Sequence, residues 1–283
     1  MPFRIFNNLA ALNAQRQLSG NSDMLSRSLS RIASGLRITK SADDAASFSI
    51  SQGINSDTRV LRQGANNLGD ALSLTKAAEG AMNEQAQMVI RLQELAAQSV
   101  TGTISQNQRD AIQFEFSSLV TEVDRIAKTA QFNGQNLLDG SLASSAATPV
   151  AIQIGLNNNS NDRISINQEA DLTATTASAL GLNTLSVDTQ TSATTTMSTL
   201  STILNNLNRE RGRLGATANR FERALTNLNV SIENLKAAGS GLEDADMAFE
   251  LAILARNQIL VQSSTAMVGQ ANVQPNSVLR LLR

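Results

Sequence analysis

Apolar positions recur in alternating steps of three and four along two long stretches of the chain. The first runs through Ala71, Leu74, Ala78, Ala81, Gln85, Met88, Leu92, Leu95 and Ser99, apolar everywhere except Gln85 and Ser99. No proline interrupts residues 45–99, and such spacing keeps one stripe of a helix turned toward a neighbouring helix. A helix of about 55 residues, rising 1.5 Å per residue, would be a rod of about 80 Å. The second series is Leu204, Leu207, Arg211, Leu214, Ala218, Phe221, Leu225, Leu228, Ile232 and Leu235, with Arg211 as its polar member. Between them a shorter helix is expected from about Gln106 to Ala130, with Ile112, Phe116, Leu119, Val123 and Ile126 on one face. Gly102, amid polar residues, marks the turn before it.

The middle of the chain has another character. Residues 141–200 include 20 Ser or Thr and carry a net charge of −3. Val150, Ile152 and Ile154 alternate, as do Ile164 and Ile166, across the Asn-rich stretch from Asn157 to Asp162, which predicts a β-hairpin with a long loop. The Thr-rich stretch from Asp188 to Thr199 reads as surface loop. The two ends are apolar in a different way. Leu18, Leu25, Leu29, Ile32 and Leu36 form a thin stripe in residues 1–40, whose net charge is +5. Residues 240–283 are apolar on several faces, through Leu251, Ile253, Leu254, Ile259, Leu260, Val261, Met267, Val268, Leu279, Leu281 and Leu282. A helix of that kind needs several neighbours to bury it, so the ends are expected to pair and to be covered by other copies.

The expected fold is therefore mainly α, a long coiled-coil-like helical bundle with a small β-hairpin region. Its parts are a terminal helix over residues 1–42, rod segments over 43–140 and 200–238, an exposed β/loop region over 141–199, and a second terminal helix over 239–283.

Composition narrows the chemistry. The chain of 283 residues has no His, Cys, Trp or Tyr, which removes zinc ligand sets, thiol redox motifs and His-assisted nucleophiles. A net charge of −1 argues against general nucleic-acid binding. No apolar run is long enough to span a membrane, and the first residues do not read as a secretory signal peptide. Gly239-Ser240-Gly241 lacks the third glycine and preceding strand of a dinucleotide fingerprint and reads as a hinge. Asp43-Asp44 and Glu243-Asp244-Asp246 lack the loop spacing of a calcium site and read instead as helix N-cap and first-turn acids, which offset the helix dipole. Ser41-x-x-Asp44 and Ser240-x-x-Glu243 also read as helix capping boxes. No catalytic, metal or cofactor site is expected, and no cofactor.

Several motifs at both ends resemble bacterial flagellins. They are Ser34-Gly35-Leu36-Arg37-Ile38, Ser41-Ala42-Asp43-Asp44-Ala45-Ala46, Glu94-Leu95-Ala96-Ala97-Gln98-Ser99, Glu122-Val123-Asp124-Arg125-Ile126 and Phe132-Asn133-Gly134. Toward the other end follow Gly215-Ala216 with Asn219-Arg220, Asp244-Ala245-Asp246-Met247-Ala248, Ile259-Leu260-Val261-Gln262, Gln270-Ala271-Asn272 and Val278-Leu279-Arg280-Leu281-Leu282. The resemblance covers residues 1–140 and 200–283. Ser47-Phe48 and Gly269 depart from the usual Gly-Leu and Ala, and the middle is short.

The resemblance implies a structural subunit that self-assembles into a flagellar filament for swimming. Its terminal helices would fold on assembly, with basic N-terminal residues meeting acidic C-terminal ones between subunits. The implied assembly contacts are Leu25, Leu29, Ile32, Leu251, Leu254, Ile259, Leu260, Leu281 and Leu282. Implied partners are the chain itself, the flagellar type III export apparatus and an export chaperone, and the filament cap and hook-junction proteins. The vertebrate Toll-like receptor for flagellin is a further one, through Arg91, Leu95 and Glu115. Neither nucleic acid nor membrane insertion is implied. The filament would lie outside the cell or in the periplasm. A hook–filament junction protein and a soluble signalling coiled coil are the rival readings.

Overall fold

The computed structural model describes residues 8–147 and 149–281, with side chains as far as Val273. Leu282, and the side chain of Leu281, lie outside the described residues. Helices dominate, as the spacing predicts: α1 (Leu9–Ser34), α2 (Ala45–Val100), α3 (Gln106–Thr129), α4 (Ile166–Glu169), α5 (Gln190–Glu243) and α6 (Met247–Leu281). Two small antiparallel hairpins complete the regular structure, β1 (Gln131–Phe132) with β2 (Gln135–Asn136), and β3 (Ala151–Gln153) with β4 (Arg163–Ser165). The chain forms two compact units. One comprises Asp57–Glu233, and the other is built from the two ends of the chain, up to Ser56 and from Asn234.

In the central unit the expected stripes are the core. Leu74, Ala78, Leu92 and Leu95 of α2, Ile112, Phe116 and Val123 of α3, and Leu207, Leu214 and Phe221 of α5 are all buried in one cluster. Gln85 is buried among them because its amide donates to the carbonyls of Val123, at 3.1 Å, and Thr175, at 3.2 Å. The turn between α2 and α3 is held by a residue the sequence did not flag. Arg109 is buried, and its guanidinium donates to the carbonyl oxygens of Ser99, Thr101 and Ile104. It thereby serves the Ser99 carbonyl, which the end of α2 leaves without a helical partner, together with two carbonyls of the turn itself. The side chain of Gln108 accepts from the Ser105 backbone N–H at 2.9 Å, opening α3.

The middle region was expected on the outside, and this is corrected. Leu142, Ile152, Ile164, Ile166, Leu172, Leu182 and Val187 are buried in the same cluster as the long helices. Apart from the alternating isoleucines their spacing is irregular, so no periodic pattern announces the burial of Leu142, Leu172, Leu182 and Val187. The alternating residues do form the expected hairpin, with Ile152 opposite Ile164. Gly64 lets that segment approach α2: a Cβ there would lie 2.6 Å from the carbonyl oxygen of Ile154. Asn67 fixes the contact by donating to the Gln153 carbonyl at 3.0 Å. The Thr-rich stretch is likewise helix from Gln190 onward rather than loop. Ala193, Thr196 and Leu200 face inward, and the exposed hydroxyls of Thr194, Thr195 and Thr199 donate to carbonyls one turn back. Such bonding satisfies the hydroxyls locally at a slight cost to the helix, which the inward packing of Ala193 and Leu200 outweighs.

In the terminal unit α1 ends at Gly35, whose N–H donates to Arg31 O at 2.8 Å. The turn that follows pairs with the turn before α6: Ala245 N–H donates to Gly35 O at 2.9 Å, and Arg37 N–H to Glu243 O at 2.6 Å. Two of the acids take the N-cap roles expected of them, while the two capping-box readings of the serines are corrected here. Asp44, not Ser41, caps α2, since its carboxylate accepts from the N–H groups of Ala46 and Ser47, both at 3.1 Å. Asp246, not Ser240, caps α6, accepting from Ala248 and Phe249. Nor does the chain hinge at Gly239-Ser240-Gly241, because α5 continues to Glu243. Helical neighbours on both sides outweigh a glycine cost of about 1 kcal/mol each.

Candidate assembly surface

Helices α1 and α6 lie antiparallel, and their shared seam is legible in the burial. On α1 the inward positions are Ala11, Ala14, Leu18, Asn21, Leu25, Ser28 and Ile32, in steps of three and four throughout. On α6 they are Glu250, Leu254, Asn257, Val261, Ser264, Val268 and Ala271. Three layers of this seam are polar. Asn21 donates to the Ser264 hydroxyl at 2.6 Å, Asn257 donates to the Ser28 hydroxyl at 2.9 Å, and Arg31 pairs with Glu250 at 3.3 Å. Each serine passes its own proton to a carbonyl four residues back, Ser28 to Met24 and Ser264 to Leu260. The sequence reading passed over these residues because it followed apolar positions only. Continuing the three-and-four count through polar residues would have found them.

The expected assembly contacts divide into two sets. Leu25, Ile32 and Leu254 are half-buried on the seam inside the chain. Leu29 (49% exposed), Leu251 (51%), Ile259 (62%) and Leu260 (38%) point elsewhere and are uncovered. Phe249, Leu260 and Met267 follow one another by 11 and 7 residues, close to three and two helical turns, so they share a line along α6. Phe249 and Met267 are each 64% exposed. The resemblance implied basic N-terminal residues meeting acidic C-terminal ones between subunits; one such pair, Arg31 with Glu250, forms within the chain.

The three residues assigned to receptor contact are less uniform. Arg91 bridges Glu115 at 2.7 Å and Glu94 at 2.9 Å, all with half-exposed side chains. These carboxylates, Glu115 foremost, raise the Arg91 pKa above its ordinary value. Leu95 is 2% exposed and belongs to the core, so it does not share the surface of Arg91 and Glu115. Phe114, next to Glu115 in sequence, is the most exposed of the large apolar residues among those described, at 77%.

A second ionic cluster clamps the middle region to α5. Asp171 accepts from the Ser144 N–H at 2.7 Å and pairs with Arg213 at 2.7 Å, and Arg220 pairs with Glu169. The bonds from Ser144, then the Arg213 guanidinium, hold the Asp171 carboxyl down to about 2, so it stays charged at any pH near neutral. Among the described residues no group of three or more acidic side chains could hold a metal ion, and no helix is long and apolar enough to cross a membrane.

The fold and surface define a mainly helical protein whose terminal helices pair with each other and keep apolar flanks free. The chain belongs to the bacterial flagellin family: it matches the N-terminal helical region of bacterial flagellins over residues 5–143 and the C-terminal helical region over residues 197–282. It is 38% identical to the flagellar filament 30.7 kDa core protein of Treponema maltophilum, covering 98% of this chain and 99% of that one. It is 36% identical to a flagellin of Bacillus subtilis, covering 99% of this chain and all of that one. A solved structure described as a flagellar hook-associated protein from Vibrio parahaemolyticus shares the fold, with a TM-score of 0.58 at 9% identity, over 71% of this chain and all of that one.

Proposed function

We propose that this chain is a structural subunit that polymerises through its terminal helices into a flagellar filament serving swimming motility. The observation that supports this most is the uncovered apolar surface of the α1–α6 pair, with Phe249, Leu251, Ile259 and Met267 each more than half exposed. At about 25 cal/mol per Å² of apolar area, covering such side chains against neighbouring copies supplies a drive that one chain does not realise. The seam itself is thin, with alanines at Ala11 and Ala14 and polar layers at Asn21 and Ser28. The pair therefore gains most of its stability when its flanks are covered, and its folding is coupled to assembly. The subunit catalyses nothing, and it leaves the cell through the flagellar export apparatus with an export chaperone. In the filament it meets cap and hook-junction proteins.

Seeded elongation tests the reading. Adding filament fragments to the unassembled chain is expected to give tubular filaments in negative stain with a rise in helix content. A species that never elongates from seeds contradicts it. On the same reading the vertebrate Toll-like receptor for flagellin engages the unassembled chain at Arg91 and Glu115. Arg91→Ala is then expected to weaken receptor activation in reporter cells, and unchanged activation would remove that assignment.

A further inference from the structure

The two Asn–Ser layers of the α1–α6 seam are related by an exchange of roles. Asn21 and Ser28 on α1 are seven residues apart, as are Asn257 and Ser264 on α6, and each asparagine meets the serine of the other helix. Polar residues at such seam positions fix register, since a slip leaves them opposite apolar groups. These two layers alone do not fix the partner. An antiparallel α1 from a second copy could set its Ser28 opposite Asn21 just as well, and two copies of α6 could match Asn257 with Ser264. The third layer breaks that degeneracy. In the native pair Arg31 reaches Glu250 one turn away from the position opposite it. In the α1–α1 arrangement Arg31 would fall opposite Leu18 with no acid within a turn, and in the α6–α6 arrangement Glu250 would fall opposite Ala271 with no base within a turn. Each would leave a charge without its partner, which is strongly unfavourable for one as buried as Glu250. Glu250 is the more sensitive member, because its side chain is 5% exposed against 31% for Arg31.

We infer that Arg31 and Glu250 determine which helix α1 pairs with, while Asn21–Ser264 and Ser28–Asn257 determine the register. This is specificity by penalising the wrong pair, and it deepens the filament reading by naming the residues that keep unassembled ends from joining their own kind.

The test compares wild type with R31E, E250R, the double exchange R31E/E250R and the apolar pair R31L/E250L. Each single exchange is expected to slow seeded elongation at least tenfold, and the double exchange to restore it to within about twofold. R31L/E250L removes the repulsion but not the ambiguity, and should yield mixed oligomers and slow elongation. A second readout does not depend on filaments. With Asn21→Cys and Ser264→Cys, in a chain that has no other cysteine, oxidation reports pairing on a non-reducing gel. Wild-type charges should give the disulfide within one chain, whereas the single exchanges and R31L/E250L should lose it; Asn21→Cys with Ser28→Cys, which face each other only when two copies of α1 pair, should cross-link dimers in R31L/E250L and not with the wild-type charges. A double exchange no better than the singles, or an R31L/E250L chain that behaves as wild type in both assays, overturns the inference. Failure of the wild-type chain to elongate, with the disulfide pattern as expected, would instead remove the filament reading.

Discussion

Ile259→Asp is expected to abolish filament growth while leaving the isolated chain as stable as before. The side chain is 62% exposed and lies off the seam between α1 and α6, so in the unassembled chain the new carboxylate stays in water at little cost. In the filament the same position is expected to face a neighbouring copy, where an unpaired carboxylate loses its hydration. Even at the mild end of that penalty, about 3 kcal/mol per contact, elongation would fall by roughly a hundredfold. Leu254→Asp is the informative contrast. It sits half-buried on the seam, so it should disturb the terminal pair as well as assembly. Sedimentation of seeded samples beside thermal unfolding separates the two, and normal filaments from Ile259→Asp would place this face of α6 outside the interface.

Arg109→Ala is expected to destabilise the central unit about as much as truncating a large core side chain. It removes a buried guanidinium that serves the carbonyls of Ser99, Thr101 and Ile104 together. Hydrogen bonds to charged groups contribute about 1.5–3 kcal/mol each, and the abandoned acceptors add their own cost. Allowing for water reaching part of the turn, a net loss of about 3–4 kcal/mol follows, or roughly 10 °C in Tm for a unit of this size. Arg109→Lys should recover little, since one ammonium cannot reach three carbonyls held in a fork. A loss below about 1 kcal/mol by denaturant titration would show that the turn does not depend on this residue.

Both changes mark where sequence reasoning stopped. The long helices were legible because α2, α3 and α5 bury one stripe each, and a stripe repeats. Gln85 and Ser99 fell on the α2 stripe, but Arg109 of α3 and Asn257 of α6 were not legible, because such a residue has the composition of surface and the environment of core. Only a partner distant in sequence makes that tolerable. The middle region failed for another reason: Leu142, Leu172 and Leu182 reach the core from turns and short segments, where no period links one buried side chain to the next. The capping boxes failed by rivalry, since Asp44 and Asp246 lie closer to the true helix starts than the serines that matched the pattern. On the assembly surface, hydrophobicity alone could not divide Leu254 from Ile259. Helical phase relative to the seam does so, and that phase is set by Asn21, Ser28, Asn257 and Ser264.

The account rests on the terminal helices being covered by other copies, and methionine oxidation measures that cover directly, because sulfoxide formation follows exposure. Met267 is 64% exposed and Met247 42%, whereas Met82 is 1% exposed inside the central unit. Mild peroxide treatment of unassembled chains and of seeded filaments, read peptide by peptide, should show Met267 and Met247 reacting quickly before assembly and at least tenfold more slowly after it. Met82 should stay slow in both. Equal oxidation of Met267 in chain and filament would mean that the filament forms without covering this face, and would contradict the account.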